Sequence, residues 1–242
     1  MKQRADKLLV SLGLFGSRTS ARAAIEAGRV TAGGMVVSRP SQPLSASDEI
    51  EATPAHPYVS RGGLKLAHAL ETFSVSPSGQ YCLDIGASTG GFTDVLLRCG
   101  AKHVVAVDVG RGQLHASLAG DARVTSHEAT DARALIADML EKPPSLLVCD
   151  ASFISLEKLL EVPLSLASQN AHFVGLFKPQ FQVGRENIGK GGLVTDVAVT
   201  DRAVQDFGHW MRQRGWPIHA WTASPISGGD GNAEHLFHAI RA

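Results

Sequence analysis

Apolar positions fall along the chain in two rhythms. Up to residue 52 they come in short clusters broken by charge. Leu8-Leu9-Val10 with Leu12 makes the stripe of a first helix, which Gly13 ends at its C′ position. Ser17 is a natural N-cap for a second helix over residues 18–27, stopped by Gly28. Arg29-Val30-Thr31 and Met35-Val36-Val37 read as two strands joined at Ala32-Gly33-Gly34, and residues 48–52 as a third. From Tyr81 onward the rhythm lengthens. Nearly unbroken apolar runs at 81–83, 103–107, 145–149 and 172–177 read as buried strands, with Val124-Thr125-Ser126 as a further candidate strand. Helical patterns follow from Thr93, over 156–166 and over 201–213, with a closing hairpin of 218–221 and 234–240 around Gly228-Gly229-Asp230-Gly231-Asn232. Buried strands alternating with helices predict an α/β domain with a mostly parallel sheet.

Between the two rhythms lies Thr53-Pro54-Ala55-His56-Pro57, where each proline fixes its own φ and restrains its predecessor. The predicted organisation is therefore a small α/β domain over 1–52, a linker over 53–59, and a larger α/β domain over 60–242. At 44% apolar and 19% charged, the 242 residues suffice for one medium core and one small one. Net charge is zero, but residues 1–40 carry seven lysines and arginines against two acids. A basic module on a mildly acidic body suits an arm that holds nucleic acid, although a solubilising cap has the same composition. Arg18 and Arg22, four apart, share one helical face.

No apolar stretch approaches the length of a transmembrane helix, and the basic N-terminus lacks the apolar region of a signal peptide. Cys82, Cys99 and Cys149 are odd in number, and two lie in strand runs, which favours reduced thiols in a cytoplasmic protein. The ten histidines show no ligand spacing, so no metal is expected. A monomer is expected.

The richest chemistry sits in Asp84-Ile85-Gly86-Ala87-Ser88-Thr89-Gly90-Gly91-Phe92, a glycine-rich turn between a strand and a helix. That layout points backbone N–H groups at a ligand. Asp108 ends the next strand, 22 residues after Gly86, where a carboxylate can accept from ribose hydroxyls. Ser88 replaces the glycine that lets backbone approach a pyrophosphate, and Asp84 would repel phosphates while suiting a cationic amino-acid group. S-adenosylmethionine fits this loop better than NAD. Asp131, after the third strand, is placed for an adenine amino group. Asp150 and Lys178 end the fourth and fifth strands, so both should reach the same crevice. The return of the final hairpin would bring Glu234 there too. Lys65, near the start of the helix after Ser60-Arg61-Gly62-Gly63, gains nothing from the helix dipole, and sequence alone leaves it open to snorkelling. The run Gly184–Lys190 has phosphate-loop spacing, but Gly191 follows where a hydroxyl is needed, so a loop beside the active site is expected instead.

These residues resemble two known families. Residues 4–52 are similar to the S4 RNA-binding domain through Arg4-x-Asp6-Lys7-Leu8-Leu9, Ser17-Arg18-x-x-Ala21-x-x-x-Ile25, Ala27-Gly28-Arg29-Val30 and Gly33-Gly34. That likeness implies phosphate contacts by Arg4, Arg18 and Arg22. Nearly the whole chain resembles the TlyA (haemolysin A-like) family of ribosomal RNA 2′-O-methyltransferases. The match rests on Ser60-Arg61-Gly62-Gly63-x-Lys65-Leu66, the loop 83–93, Asp108-Val109-Gly110-x-Gly112-Gln113-Leu114, Asp150-x-Ser152-Phe153-Ile154-Ser155-Leu156, Lys178-Pro179-Gln180-Phe181 and Gly231-Asn232-x-Glu234. It implies a Rossmann-like methyltransferase sheet and S-adenosylmethionine held by Asp84, Gly86, Ser88, Gly90, Phe92, Asp108 and Asp131. It also implies a catalytic tetrad at Lys65, Asp150, Lys178 and Glu234, acting on a cytidine ribose of ribosomal RNA, with 23S RNA in the large subunit as the expected substrate and 16S RNA as the second candidate. Gln182 departs from the family's glutamate, and His56-Pro57-Tyr58-Val59 from its arginine- and tryptophan-bearing linker.

A sulfonium methyl is already electrophilic, so alignment of the 2′-oxygen is the main requirement. A lysine takes the hydroxyl proton only where burial or a second cation favours its neutral form. Lys178 is expected as steering residue or general base, Lys65 as the second cation, with Asp150 and Glu234 orienting them. A non-catalytic RNA-binding assembly factor is the alternative. A membrane-active haemolysin lacks any supporting apolar segment.

Overall fold

A computed structural model describes residues 2–229 and 231–242. The chain divides into two compact units, one ending at Pro57 and the other running Tyr58–Ala242. Thr53 donates back to the Arg29 carbonyl, while Val59 donates to Asp94, so the stiff segment stays with the first unit and its end joins the second.

In the first unit, strand β1 (Lys2–Arg4) leads into helix α1 (Ala5–Ser11). Helix α2 (Arg18–Glu26) starts at Ser17, whose hydroxyl accepts from Ser20 N–H at 3.2 Å. Strands β2 (Val30–Ala32), β3 (Met35–Val36), β4 (Pro43–Ser45) and β5 (Ile50–Ala52) follow. Gly33 and Gly34 both have positive φ (56° and 75°), which a two-residue hairpin turn between β2 and β3 requires. β5 pairs with β2 to complete a three-stranded sheet. The β1–β4 pair has no counterpart in the sequence reading, because three-residue polar strands carry no apolar period. Leu8, Leu9, Ala21, Ala24, Ile25 and Val30 form the core.

The second unit begins with helix α3 (Gly62–Thr72). Next come β6 (Tyr81–Ile85), α4 (Gly91–Arg98), β7 (His103–Val107), the short α5 (Ala116–Ala119) and β8 (Val124–His127). β9 (Leu146–Cys149), α6 (Leu156–Ser165), β10 (His172–Phe177), α7 (Val197–Gln213), β11 (Ile218–Ala223) and β12 (His235–Ile240) complete it. Helix α7 begins four residues before the expected start, because Asp196 caps it by accepting from Ala198 and Val199 N–H.

Seven strands form one sheet in the order β11-β12-β10-β9-β6-β7-β8. β10, β9, β6, β7 and β8 are parallel, while β12 returns antiparallel between β10 and β11. The order reverses between β6 and β9, which opens a crevice at their carboxyl ends. Alternate strand residues serve the two faces. Leu83, Ile85, Leu147 and Cys149 pack toward α6 and α7, and Cys82, Leu146 and Val148 toward α3 and α4. Both faces of the inner strands are covered, so those strands read as nearly unbroken apolar runs, while the edge strands β8 and β11 are mixed and only partly buried.

Candidate active site

Four elements bring two lysines and two carboxylates to the crevice. Lys65, on the first turn of α3, pairs with Glu234 just before β12 (Nζ–Oε2 2.5 Å). Lys178, at the end of β10, pairs with Asp150 at the end of β9 (Nζ–Oδ1 2.6 Å). Lys178 also donates to the Ser152 hydroxyl at 2.8 Å. Lys65, Lys178 and Glu234 are all under a tenth exposed. Buried charges persist only when paired and hydrogen-bonded, and each of these has its partner. The antiparallel register explains Glu234. Phe177 lies opposite His235, so the residues flanking that pair, Lys178 and Glu234, emerge at the same end of the sheet.

Three connected hollows meet at Asp150 and Ser152. The middle one, about 240 Å³, is walled by Lys65, Gly86, Ser88, Gly91, Phe92 and Lys178. Tight backbone contacts shape it. A Cβ on Gly86 would lie 3.1 Å from Ala151 Cα, and one on Gly91 would run into the Ser60 hydroxyl. Gly90 lies behind the wall, where a side chain would strike Leu118. Ser88 holds φ 47° and donates its N–H to Asp108 at 2.8 Å.

The second hollow, about 590 Å³, extends along Asp108, Gln113 and Asp131. Asp108 accepts two backbone N–H groups, from Ser88 (2.8 Å) and Gly110 (2.6 Å). A carboxylate has about four acceptor sites, so capacity for a ribose diol remains. Asp131 stands on the same wall, yet the Arg133 guanidinium engages both its oxygens (2.5 Å to Oδ2, 3.0 Å to Oδ1). The expected adenine contact competes with that fork.

Asp84 departs further from expectation. Leu83 and Ile85 face α6 and α7, so the period of two turns Asp84 beneath α4. It is fully buried, accepts from Thr93 Oγ1 at 2.6 Å and leaves its other oxygen without a hydrogen bond. Burial pushes its carboxyl up to about 7. It braces the loop from below and does not line the hollows.

The third hollow, about 480 Å³, opens outward past Phe153, Phe181, Ile188 and Gly191. Phe153 has φ 66° and is 91% exposed, two costs for a bulky apolar residue, and its ring packs at 5.2 Å from Phe181. The segment with phosphate-loop spacing forms two short 3₁₀ turns here, and Asn232 clamps its end. Asn232 accepts from Val194 N–H at 3.0 Å and donates to the Gly192 carbonyl at 2.9 Å. Gln182 caps α6 by accepting from Leu156 N–H at 3.0 Å. The aromatic after Asp150-Ala151-Ser152 was visible in sequence, but its strained backbone was not.

In the first unit, Asp6 is fully buried and holds two arginines. Arg4 bonds it at 3.0 and 3.2 Å, and Arg18 at 2.7 and 3.2 Å. Hydrogen bonds from Arg4, then those from Arg18, keep its carboxyl far below the usual range. Both arginines stay about half exposed. Arg22 makes only a loose exposed pair with Glu26 at 3.9 Å. Asp6 was part of the recognised pattern, but its role as the clasp of both arginines was missed.

An FtsJ-like methyltransferase model matches residues 58–241, and an S4 domain model matches residues 3–50. The chain is 42% identical over 97% of its length to the Mycobacterium tuberculosis 16S/23S rRNA (cytidine-2′-O)-methyltransferase TlyA, covering 88% of that protein. The chain belongs to the TlyA family of FtsJ-like methyltransferases. Another TlyA-family relative, Hemolysin A of Brachyspira hyodysenteriae, is 38% identical over 98% of this chain and 99% of its own. A solved Streptococcus thermophilus protein named as a hemolysin is 38% identical, with a TM-score of 0.78, covering 100% of this chain and 89% of that one. Despite such names, no helix among the described residues is long and apolar enough to cross a membrane.

Proposed function

We propose that this TlyA-family chain transfers the methyl group of S-adenosylmethionine to the 2′-oxygen of a cytidine in ribosomal RNA, in 23S RNA first and in 16S RNA as the second candidate. The observation that carries the reading is the pair of buried lysine–carboxylate bridges facing one crevice at the switch point of the sheet. The cofactor's nucleoside would occupy the hollow along Asp108, its amino-acid end the turn Gly86–Gly91, and its methyl would point toward Lys178. A nucleoside with a cationic tail suits this donor set. Asp108 offers acceptors for hydroxyls, and the glycine turn offers backbone without a phosphate-binding lysine.

An ammonium has three donors; on Lys178, Ser152 takes one and Asp150 stands against the head group as its ion-pair partner at 2.6 Å. A further donor is left to hold the ribose oxygen in line with the methyl. The C–S bond breaks as the O–C bond forms. The sulfonium would become a neutral thioether, and the hydroxyl proton would pass to the Asp150 carboxylate of the pair and on to water. Lys65 and Glu234 border the acceptor side of the crevice. Phe153, strained and exposed at its rim, is suited to stack the unpaired base whose ribose enters. Arg4 and Arg18, oriented by Asp6, would grip phosphates, which position RNA without reading its sequence.

The test is transfer of labelled methyl to 23S and 16S RNA in isolated subunits, with Lys178→Ala in parallel. Label in RNA that falls by about 10²–10⁴-fold in the variant, with cofactor affinity retained, is the expected result. A wild-type protein that binds subunits and labels neither would make it an RNA-binding assembly factor instead.

A further inference from the structure

The loop between β7 and α5 forms one wall of the cofactor hollow, and its conformation depends on an acid that the chemistry above does not use. Three consecutive backbone N–H groups, those of Gly112, Gln113 and Leu114, converge on the carboxylate of Glu128 at 2.7, 2.7 and 3.0 Å. Consecutive N–H groups aimed at one point make an anion-binding nest, and here the anion belongs to the chain itself. Those bonds hold the Glu128 carboxyl below its usual range, Leu114 first and then Gln113 and Gly112.

The loop carries two side chains of the hollow. Asp108, at its start, receives the N–H groups of Ser88 and Gly110. Gln113 accepts from the Ser88 hydroxyl at 3.1 Å, and its amide nitrogen folds over Gly110 where a Cβ would collide with it. The glycine turn after β6 is thus tied to the loop twice through Ser88, and again where His115 N–H donates to the Thr89 carbonyl at 3.2 Å. On the other side, Ala129 donates to the Gly110 carbonyl and Thr130 to the Asp108 carbonyl. Glu128 precedes Ala129, so the nest and these backbone bonds act as one clamp. Without the carboxylate, three adjacent donors lose their partner and Gln113 loses its support.

We infer that Glu128 is a positioning residue of the cofactor hollow, fixing loop 108–114 so that Asp108 and Gln113 meet the ribose end of the nucleoside. The ligand's identity rests on the function proposed above; the hold on the loop does not. Glutamine at position 128 keeps one acceptor oxygen and loses the charge, so it should act between wild type and alanine.

The experiment compares wild type, Glu128→Gln and Glu128→Ala in two ways. Amide hydrogen exchange of the full chain without ligand should show Gly112, Gln113 and Leu114 protected in wild type and exposed in Glu128→Ala, with the β6 and β9 amides unchanged. Titration with S-adenosylmethionine should give a Kd raised roughly tenfold in Glu128→Ala, the scale of one lost charge-assisted hydrogen bond. In methyl transfer the loss should appear in the KM for S-adenosylmethionine, while turnover at saturating cofactor and the KM for the ribosomal subunit stay within about twofold. Continued protection of the three amides in Glu128→Ala overturns the clamp. Exposed amides with an unchanged Kd overturn its link to the cofactor, and an equal fall in every parameter makes Glu128 merely structural. If folded wild type does not bind S-adenosylmethionine, the proposed function fails, and the exchange result alone still decides whether Glu128 holds the loop.

Discussion

The two units handle buried charge in opposite ways. In the first, a single fully buried carboxylate, Asp6, anchors two arginines whose guanidinium groups remain about half exposed. In the second, the lysines themselves are buried, and each has a carboxylate of its own. The first arrangement leaves an excess of positive charge at the surface, oriented but reachable, which suits a polyanion that must bind and leave. The second leaves no excess. Two neutral pairs line one crevice, where under the proposed function a small displacement of either partner would redistribute charge over the reacting atoms. The same residue types give exposed, oriented cations in one place and buried, neutralised ones in the other, and burial of the cation separates the two.

The sharpest way to break this comparison is to remove one acid from the second unit. Glu234→Gln leaves the Lys65 ammonium buried without its charge partner, and methyl transfer should fall by about 10²-fold or more while S-adenosylmethionine affinity changes little. A variant with normal turnover would make that bridge a structural pair. Asp6→Asn should do the reverse: it should weaken RNA binding and lower stability by about 1–3 kcal/mol, with catalysis on saturating substrate retained. Its pH dependence gives a further check. The folded-state pKa of Asp6 is depressed, so its stabilisation is present above the unfolded value near 3.9 and is lost as pH falls through the folded value. Urea unfolding of wild type and Asp6→Asn should therefore converge as pH drops below about 4. The smallest effect is expected at Gln182→Glu. The cap on Leu156 N–H would survive with a charge added at a helix N-terminus, raising stability by about 0.3–1 kcal/mol and leaving methyl transfer unchanged.

Much of the fold could be read from the chain because the inner strands of the sheet are covered on both sides. Those strands therefore announced themselves as apolar runs, and Gly13, Gly28 and Gly33-Gly34 marked turns that need positive φ. Strands β1 and β4 stay hidden, since the pair buries a single apolar side chain, Leu44, and so carries no period. The site was less accessible. Asp150 and Lys178 follow from strand ends and Glu234 from the return of the last hairpin, whereas Lys65 enters only through resemblance to a family, and its pairing with Glu234, 169 residues away, is seen only in the fold. Asp84 was assigned to the ligand by its neighbourhood, yet the alternation of β6 sends it under α4. Asp131 was placed on the correct wall, but the arginine two residues later could not be seen as its partner. Phe153 stands in a motif that does not show its exposure, and Glu128 stands in none. One depends on a backbone angle and the other on three converging amides, and only coordinates reveal either.

The last strand to be made, β12, enters the sheet between two strands already synthesised, and it delivers Glu234. The glycine turn and Asp108, by contrast, come from neighbouring parallel strands made early. Closing a 169-residue loop is slow relative to local contacts, so the nucleoside pocket should form before the second lysine–carboxylate bridge exists. A chain folded only that far would have the Lys178–Asp150 pair at the crevice, while Lys65 would still lack Glu234.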